Sequence, residues 1–177
     1  MVDPHKKVKS ASAVDIDDEK FEAKIFTGAL SVEDFNTNVL MGVGFTYFAM
    51  DRVYADFNYA SSDTQRGNNE GNSDFNPDRT FSYASISGGY KLFDGRSFLG
   101  KVRKYNSDVN VFGGLESVSF AGNTDIGLVI GVNHKTVLTD YLTLNIDFKN
   151  HFVNRDFLDE EKLTSNTEFS IGLGTIF

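Results

Sequence analysis

A period-two alternation of apolar and polar residues runs from Phe21 to the last residue, Phe177, and it limits the choice of fold more than any other feature. Successive side chains of a β-strand point to opposite faces, so the alternation predicts strands with one apolar and one polar face. Alternation alone is also compatible with a soluble sandwich that buries the apolar face. The clearest example has Val39, Met41, Val43, Phe45 and Tyr47 on one face and Asn38, Gly42, Gly44 and Thr46 on the other.

Turn residues and polar segments divide this region into eight parts, which predicts an all-β fold of eight antiparallel strands. The predicted strands are residues 21–32, 37–50, 52–60, 80–93, 107–118, 125–138, 141–153 and 166–177. Their glycines, including Gly42 and Gly174, are interpreted as points where the sheet curves. Residues 1–20 have too little apolar surface to offset the entropy of ordering, so we predict a flexible lead-in followed by one domain, residues 21–177.

Strand length and loop length both favour a membrane-spanning barrel. The predicted strands run to roughly 12 residues, against about 5–6 in globular sheets and about 9–11 in strands that cross a bilayer. Even-numbered strands are followed by tight turns at 50–51 and 139–140 and by one medium segment, 94–106, whereas odd-numbered strands are followed by segments that include 61–79 and 154–165. This asymmetry is typical of outer-membrane barrels. We therefore predict an eight-stranded antiparallel up-and-down transmembrane β-barrel.

The last strand ends in a pattern that resembles the C-terminal signal of bacterial outer-membrane proteins. Ser170, Gly172 and Phe177 match that signal, whereas Thr175 stands where an apolar residue is usual. The resemblance implies that the barrel-assembly machinery reads these three residues as an assembly signal.

Longer segments resemble a family of small barrels from Gram-negative bacteria. Residues 21–28 (FEAKIFTG), 89–92 (GYKL) with 98–100 (FLG), and 138–142 (LTDYL) are similar to the "outer membrane beta-barrel domain" proteins, which share the plan of the OmpA transmembrane domain and OmpX. The resemblance implies a transmembrane barrel in the bacterial outer membrane. It implies little about activity, because most members of that family have none assigned.

The polar face carries charges of both signs, which would point into the barrel. An eight-stranded barrel is just wide enough for side chains to fill it, so we predict a polar network in the lumen; the alternative is a narrow ion pathway through the same residues. The predicted network consists of Glu22, Lys24, Asp56, Lys91, Asp108, Glu116, Lys135, Asp147, Lys149 and Glu168, and Arg52 lies on the same face.

Composition excludes several classes of function. With no cysteine, the chain has no disulfide, catalytic thiol, Cys-ligated zinc or iron–sulfur cluster. A net charge of −8, from 17 Lys and Arg against 25 Asp and Glu, argues against nucleic-acid binding. The three histidines, His5, His134 and His151, are scattered, and the acidic loops lack the spacing of a calcium loop. We therefore predict no metal site and no cofactor.

One short motif suggests an enzyme. Some eight-stranded barrels are lipid A deacylases with a His-x-Ser pair on the outer wall, which His134-Lys135-Thr136 resembles. Thr replaces Ser, and the pair lies beside the short turn at 139–140, away from the leaflet that holds lipid A. We interpret His134 as an imidazole at headgroup level, where amphipathic side chains concentrate.

The sequence predicts a non-enzymatic outer-membrane barrel in the cell envelope, either a structural element or the membrane anchor of a larger assembly. Its predicted partners are outer-membrane lipid, lipopolysaccharide, the barrel-assembly machinery and a periplasmic protein that binds residues 1–20. The alternatives are a deacylase-like lipid A-modifying enzyme, the narrow ion pathway, and a soluble lipocalin-like barrel, which the charged inner face disfavours.

Overall fold

The chain forms a closed eight-stranded antiparallel barrel, as predicted. The computed structural model describes residues 20–32, 37–63, 80–99, 103–120, 123–157 and 160–177, so nearly all of the predicted lead-in lies outside the described residues. Each strand pairs with its neighbours in the chain, and β8 pairs with β1. The strands are β1 (Phe21–Ser31), β2 (Thr37–Met50), β3 (Val53–Asp63), β4 (Thr80–Leu99), β5 (Arg103–Phe120), β6 (Asn123–Val137), β7 (Leu142–Phe157) and β8 (Glu160–Ile176).

The first and last residues of the barrel lie side by side at one of its ends. Phe21 and Phe177 exchange two backbone hydrogen bonds, of 3.0 Å and 2.9 Å. The turn at 51–52 and the turn at 138–141 lie at the same end, because both join an even-numbered strand to the next one. We call this the termini end, and the opposite end of the barrel the loop end.

Two predicted connections are largely strand. The ladder between β7 and β8 continues to Phe157, which lies opposite Glu160. Only residues 158–159 therefore connect these two strands, whereas the sequence predicts a connection over residues 154–165. The ladder between β4 and β5 likewise continues to Leu99 opposite Arg103, through most of the predicted connection 94–106. Paired strands satisfy each other's backbone groups without needing an apolar face. Strand ends without an apolar face do not show the alternation of apolar and polar residues from which the strands are predicted.

The outer wall is apolar and the inner wall is mostly polar. All five apolar residues predicted to share a face on β2 are exposed, and Thr46 on the opposite face is buried. Large exposed side chains from the other strands extend this surface around the barrel, and together they form the apolar belt: Ile25, Phe57, Ile86, Leu115, Leu128, Ile130, Phe148, Ile171 and Leu173. The described residues include no helix long and apolar enough to cross a membrane.

Exposed aromatic side chains gather at the termini end. The Phe21 ring lies 5.7 Å from Phe45, 5.3 Å from Tyr47 and 6.1 Å from Phe177, measured between ring centres. Tyr90 and Tyr141 are exposed at the same end. Aromatic rings favour the membrane–water interface, so these six residues form an aromatic girdle that marks one edge of the bilayer.

Inward-facing glycines make room for large side chains, a role beyond the curvature inferred from sequence. A Cβ atom at Gly42 would overlap the Phe26 ring, and one at Gly174 would overlap the carboxylate of Glu22. Substitution at either position would displace a lumen side chain. The glycines therefore shape the interior that contains the candidate site.

Candidate functional site

A first buried ion pair lies in the termini-side half of the lumen. Glu22 accepts hydrogen bonds from the Lys135 ammonium group, from Thr143 Oγ1 at 2.5 Å and from Asn145 Nδ2 at 2.8 Å. The Lys135 ammonium also lies 4.2 Å from the centre of the Phe48 ring. Because Glu22 is only 1% exposed, these contacts replace the water that its charge would otherwise need.

A second ion pair lies beside the first. Asp56 accepts hydrogen bonds from Lys24 Nζ at 3.3 Å, Thr46 Oγ1 at 2.7 Å and Asn58 Nδ2 at 2.6 Å. Three adjacent strands supply these groups, and all four side chains are buried. Both carboxylate oxygens of Asp56 are therefore occupied by donors.

The loop-side half of the lumen contains a larger buried group, which we call the loop-side cluster: Tyr83, Glu116, Lys149, His151 and Glu168. Glu168 accepts hydrogen bonds from Lys149 Nζ at 2.9 Å and from the Tyr83 hydroxyl at 2.7 Å. His151 Nδ1 lies 2.6 Å from Glu116 Oε2, and its Nε2 lies 3.3 Å from Glu168 Oε2. These side chains come from four strands, so the cluster ties together opposite parts of the wall.

The two carboxylates around His151 define its charge. A neutral imidazole has a single N–H, whereas each ring nitrogen here faces a carboxylate oxygen. With both carboxylates ionised, only the imidazolium can donate to both. The cluster then has two negative charges, on Glu116 and Glu168, balanced by positive charges on His151 and Lys149.

An apolar layer lies beyond the loop-side cluster, nearer the loop end. Sequence analysis placed charges on the inner face but did not predict this layer. Phe81 belongs to this layer and also packs against the cluster, with its ring centre 6.4 Å from Tyr83 and 6.5 Å from His151. The layer consists of Leu30, Val32, Leu40, Phe81, Val118 and Val153, each no more than 1% exposed.

The lumen contains a cavity that does not pass through the barrel. Its volume is about 180 Å³, and its lining includes Lys24, Asp56 and Lys135 together with residues 50–53 of a turn at the termini end. No residue of the loop-side cluster or of the apolar layer lines it. The cavity is therefore a blind pocket that opens towards the termini end.

Asp147 lies deep in this pocket with only one oxygen engaged. Asn133 Nδ2 donates to Asp147 Oδ1 at 2.8 Å, and Asn133 Oδ1 in turn accepts from Asn110 Nδ2 at 3.0 Å. Asp147 Oδ2 has no hydrogen-bond partner among the described residues. It is therefore a buried acceptor without a donor in that part of the chain.

All ten predicted network residues lie in the buried groups described above or line the pocket. Two of them, Lys91 and Asp108, form a 3.3 Å ion pair at its mouth, where their side chains are 29% and 19% exposed. Arg52 also lies at the termini end, with an exposed side chain 3.5 Å from Asp94. The side chains of the polar face are thus partly exposed at the mouth of the lumen and buried in its interior.

Most of the charged residues of the lumen are predicted from the sequence, whereas many of their neutral partners are not. Tyr83 and Asn133 are buried and hydrogen-bonded to network carboxylates, although they were not selected. The alternation of inward and outward side chains along a strand predicts both, because Tyr83 is next to outward-facing Ala84 and Asn133 is next to outward-facing His134. A search for charges alone passes over neutral donors.

The predicted assembly-signal residues occupy different environments. Ser170 is fully buried, and its hydroxyl donates to Glu168 Oε1 at 2.8 Å. Gly172 faces inward against Phe26, whereas Phe177 is exposed in the aromatic girdle. Two of the three residues therefore have packing roles inside the barrel, and Phe177 presents its ring outside.

His134 and Thr136 face outward at the termini end, but Thr136 is covered. His134 Nε2 lies 3.3 Å from Thr136 Oγ1 and 3.3 Å from Ser97 Oγ, which belongs to the long β4–β5 hairpin. Thr136 is only 3% exposed. A nucleophilic hydroxyl must reach the ester that it attacks, and Thr136 has little access to one.

Metal ligation has no support in the described ranges of the chain. No three His, Asp or Glu side chains converge there in a way that could hold an ion. The acidic loop 61–79 lies almost entirely outside those ranges. The absence of a metal site therefore stays a prediction.

Comparison with solved structures shows the same fold. Neisserial surface protein A (NspA) is 13% identical, with a TM-score of 0.53 over 89% of this chain and 97% of that one. The N-terminal β-barrel domain of Pseudomonas aeruginosa OprF is 14% identical, with a TM-score of 0.53 over 88% and 97%. The outer membrane protein AlkL, solved in DMPC bilayers, is 13% identical, with a TM-score of 0.54 over 99% and 97%.

Sequence comparison adds nothing to this likeness. No protein-family model matches the chain. No curated protein matches it significantly in sequence. At 13–14% identity the structural likeness shows the fold, which is that of small outer-membrane barrels. The apolar belt and the aromatic girdle supply the lipid-facing surface that this fold requires, and together they place the chain in the bacterial outer membrane.

Proposed function

We propose that this chain is a closed, non-conducting outer-membrane barrel that serves as a structural element or as the membrane anchor of a larger envelope assembly. One observation carries the proposal: the loop-side cluster and the apolar layer fill the lumen between the blind pocket and the loop end. A pore needs a continuous wet path, and dry apolar side chains interrupt it. The side chains in the lumen thus stabilise the barrel wall. Interactions with other molecules take place at the ends of the barrel and on its outer surface.

The termini end is the natural point of attachment. Residue 20 enters the barrel there, next to the aromatic girdle, and its backbone oxygen accepts a hydrogen bond from Phe48 N at 2.8 Å. Residues 1–20 would then extend into the periplasm, where they could tether a domain or dock a partner.

Planar-bilayer recording tests the closed lumen. Purified wild-type protein should give no stable, porin-sized conductance, because side chains fill an eight-stranded interior. Leu40→Ala with Phe81→Ala thins the apolar layer and should leak more than the wild type. The matched control is Val39→Ala with Ile86→Ala, which removes exposed side chains from the same two strands and should remain silent. Large, reproducible steps from the wild type would contradict the proposal.

The lipid A-modifying enzyme is the competing function. The contact between His134 and Thr136 supports this function, whereas the burial of Thr136 argues against it. We predict that lipid A from cells that overproduce the protein keeps its normal acyl pattern in mass spectra. Loss of acyl chains with the wild type, but not with His134→Ala, would establish the enzyme instead.

A further inference from the structure

The end of the β4–β5 hairpin concentrates positive charge in an acidic chain. Residues 91–105 contain five cationic residues and one acidic residue, for a net charge of +4, whereas the whole chain carries −8. The cationic residues are Lys91, Arg96, Lys101, Arg103 and Lys104. The single acid, Asp94, lies 3.5 Å from both Lys91 and Arg52, and Lys91 also lies 3.3 Å from Asp108, so both Asp94 and Lys91 are ion-paired at the mouth of the lumen.

The hairpin extends past the rim of the barrel. Tyr90, opposite Val53, is the last residue of β4 that pairs with β3, and beyond it β4 pairs with β5 alone. The register shifts between Lys91 and Phe93, where Leu92 is the extra residue of a bulge. Bulges bend the strand that contains them, so the hairpin changes direction as it leaves the barrel.

One contact shows which way the hairpin bends. In a flat sheet, Ser97 would lie two strands and four residues from His134, a separation of roughly 16 Å from standard strand spacings. Ser97 Oγ is instead 3.3 Å from His134 Nε2. His134 faces outward, so the hairpin curls over the outer wall of β5 and β6. This placement explains why Ser107 and Thr136 are buried, although their positions in the ladder put both side chains on the outer face of the barrel.

The curled hairpin lies at the level of the aromatic girdle, where it begins at exposed Tyr90. Its apolar side chains, Leu92 and Phe93, remain exposed, and Phe93 is 67% accessible. Arg96 and Lys104 are also exposed. They share one face of the ladder, because Arg96 pairs with Asn106 and Lys104 lies two residues before it. Because Ser97, on the opposite face, meets the wall, these two cations point away from it.

We propose that the β4–β5 hairpin binds the anionic headgroups of phospholipids in the membrane leaflet at the termini end. Apolar side chains at the lipid boundary, with cations at headgroup level, are the arrangement that interfacial segments use on anionic membranes. Residues 91–105 carry a net charge of +4 and the rest of the chain −12, so the charge of the hairpin is opposite to that of such lipids. Lipid binding by the hairpin goes beyond the proposed function, because it concerns the outer surface of the barrel and does not depend on a closed lumen.

Spin-labelled lipids test the proposal on the full chain, refolded in phosphatidylcholine vesicles. Trace amounts of spin-labelled phosphatidylglycerol and phosphatidylcholine report the relative association of each lipid with the barrel. Each cation near an anionic surface is worth about fivefold in binding. We expect wild-type protein to prefer phosphatidylglycerol, and Arg96→Gln with Lys104→Gln to reduce that preference by up to about 25-fold, since two cations are removed. Raising the salt from about 0.01 M to about 1 M should remove it, because the Debye length falls from about 30 Å to about 3 Å.

Two further variants complete the test. Lys20→Gln removes an exposed cation at the same end but outside the hairpin, and it should leave the preference unchanged. Arg96→Lys keeps the charge and should also keep the preference. Folding of every variant is checked by heat-modifiable migration on gels. If the double variant does not fold, the single variants Arg96→Gln and Lys104→Gln replace it, each with about half the effect on a logarithmic scale.

Three results would overturn the proposal. The first is an equal preference for phosphatidylglycerol in the wild type and the double variant. The second is an equal loss in Lys20→Gln, which would show that any cation at this end suffices. The third is displacement of the lipid by millimolar inorganic phosphate at constant ionic strength, which would show a site for the free anion.

Discussion

Glu168 is the residue on which the loop-side cluster depends. It is fully buried and accepts hydrogen bonds from Lys149 at 2.9 Å, Tyr83 at 2.7 Å and Ser170 at 2.8 Å, with His151 Nε2 at 3.3 Å. Desolvation makes a buried ion pair a weak source of net stability. Removing one partner is costly, however, because the remaining charge stays buried without compensation.

A double-mutant cycle measures that dependence. Glu168→Gln should destabilise the barrel by about 3–5 kcal/mol, because Lys149 and His151 would keep two positive charges beside the single carboxylate of Glu116. Lys149→Met should cost a similar amount. Both changes together should cost clearly less than their sum, since neither charge is then left alone. Urea unfolding of the refolded protein gives the free energies, and additive losses would show that the two residues do not act as a pair.

Strand parity predicts which residues enter the lumen, but it cannot predict which of them meet. Glu22 and Lys135 lie on β1 and β6, far apart in the chain, and their contact depends on the circumference and tilt of the closed barrel. The same holds for His151, which parity places inside and which only the closed barrel brings between two carboxylates. The pairing is thus a property of three-dimensional closure.

At the scale of elements, alternation predicts each strand wherever one face meets lipid. The bounds of β2 agree with the prediction at both ends, because its apolar face continues to the rim. β4 and β5 extend beyond their predicted ends, where the ladder has left the belt and charged residues replace the alternation. Backbone pairing continues there without a hydrophobic signal that sequence analysis could detect.

The seam between β1 and β8 supports a prediction about assembly. Phe177→Ala keeps the backbone hydrogen bonds to Phe21 and removes only the ring contact, which is worth about 0.5–1.5 kcal/mol. Refolding in detergent should therefore change little. In cells, the amount of folded barrel in the outer membrane should fall strongly if the assembly machinery reads the terminal aromatic ring. Heat-modifiable migration on gels measures both, and an unchanged level in cells would show that the ring is not part of the signal.

The whole molecule is arranged in concentric and stacked layers. The apolar belt surrounds a lumen that passes from hydrated mouth to ion pairs, then to the loop-side cluster, then to the apolar layer. The apolar belt suits its surroundings only if the barrel spans a bilayer. In water, the belt would form an exposed apolar surface far larger than soluble monomers tolerate.

The most direct test of this arrangement is a spin-label scan of consecutive residues on β4. The chain has no cysteine, so a single introduced cysteine gives a unique label. Ile86 is exposed in the apolar belt, whereas its neighbours Ser85 and Ser87 are buried in the lumen, and Ser87 Oγ has no hydrogen-bond partner among the residues that the structure describes. In lipid vesicles, the label at 86 should collide freely with oxygen, which concentrates in the bilayer, and hardly with a water-soluble nickel complex. Labels at 85 and 87 should show low collision rates with oxygen. Equal oxygen accessibility at all three positions, or free access of nickel to position 86, would contradict a barrel with its apolar face in lipid.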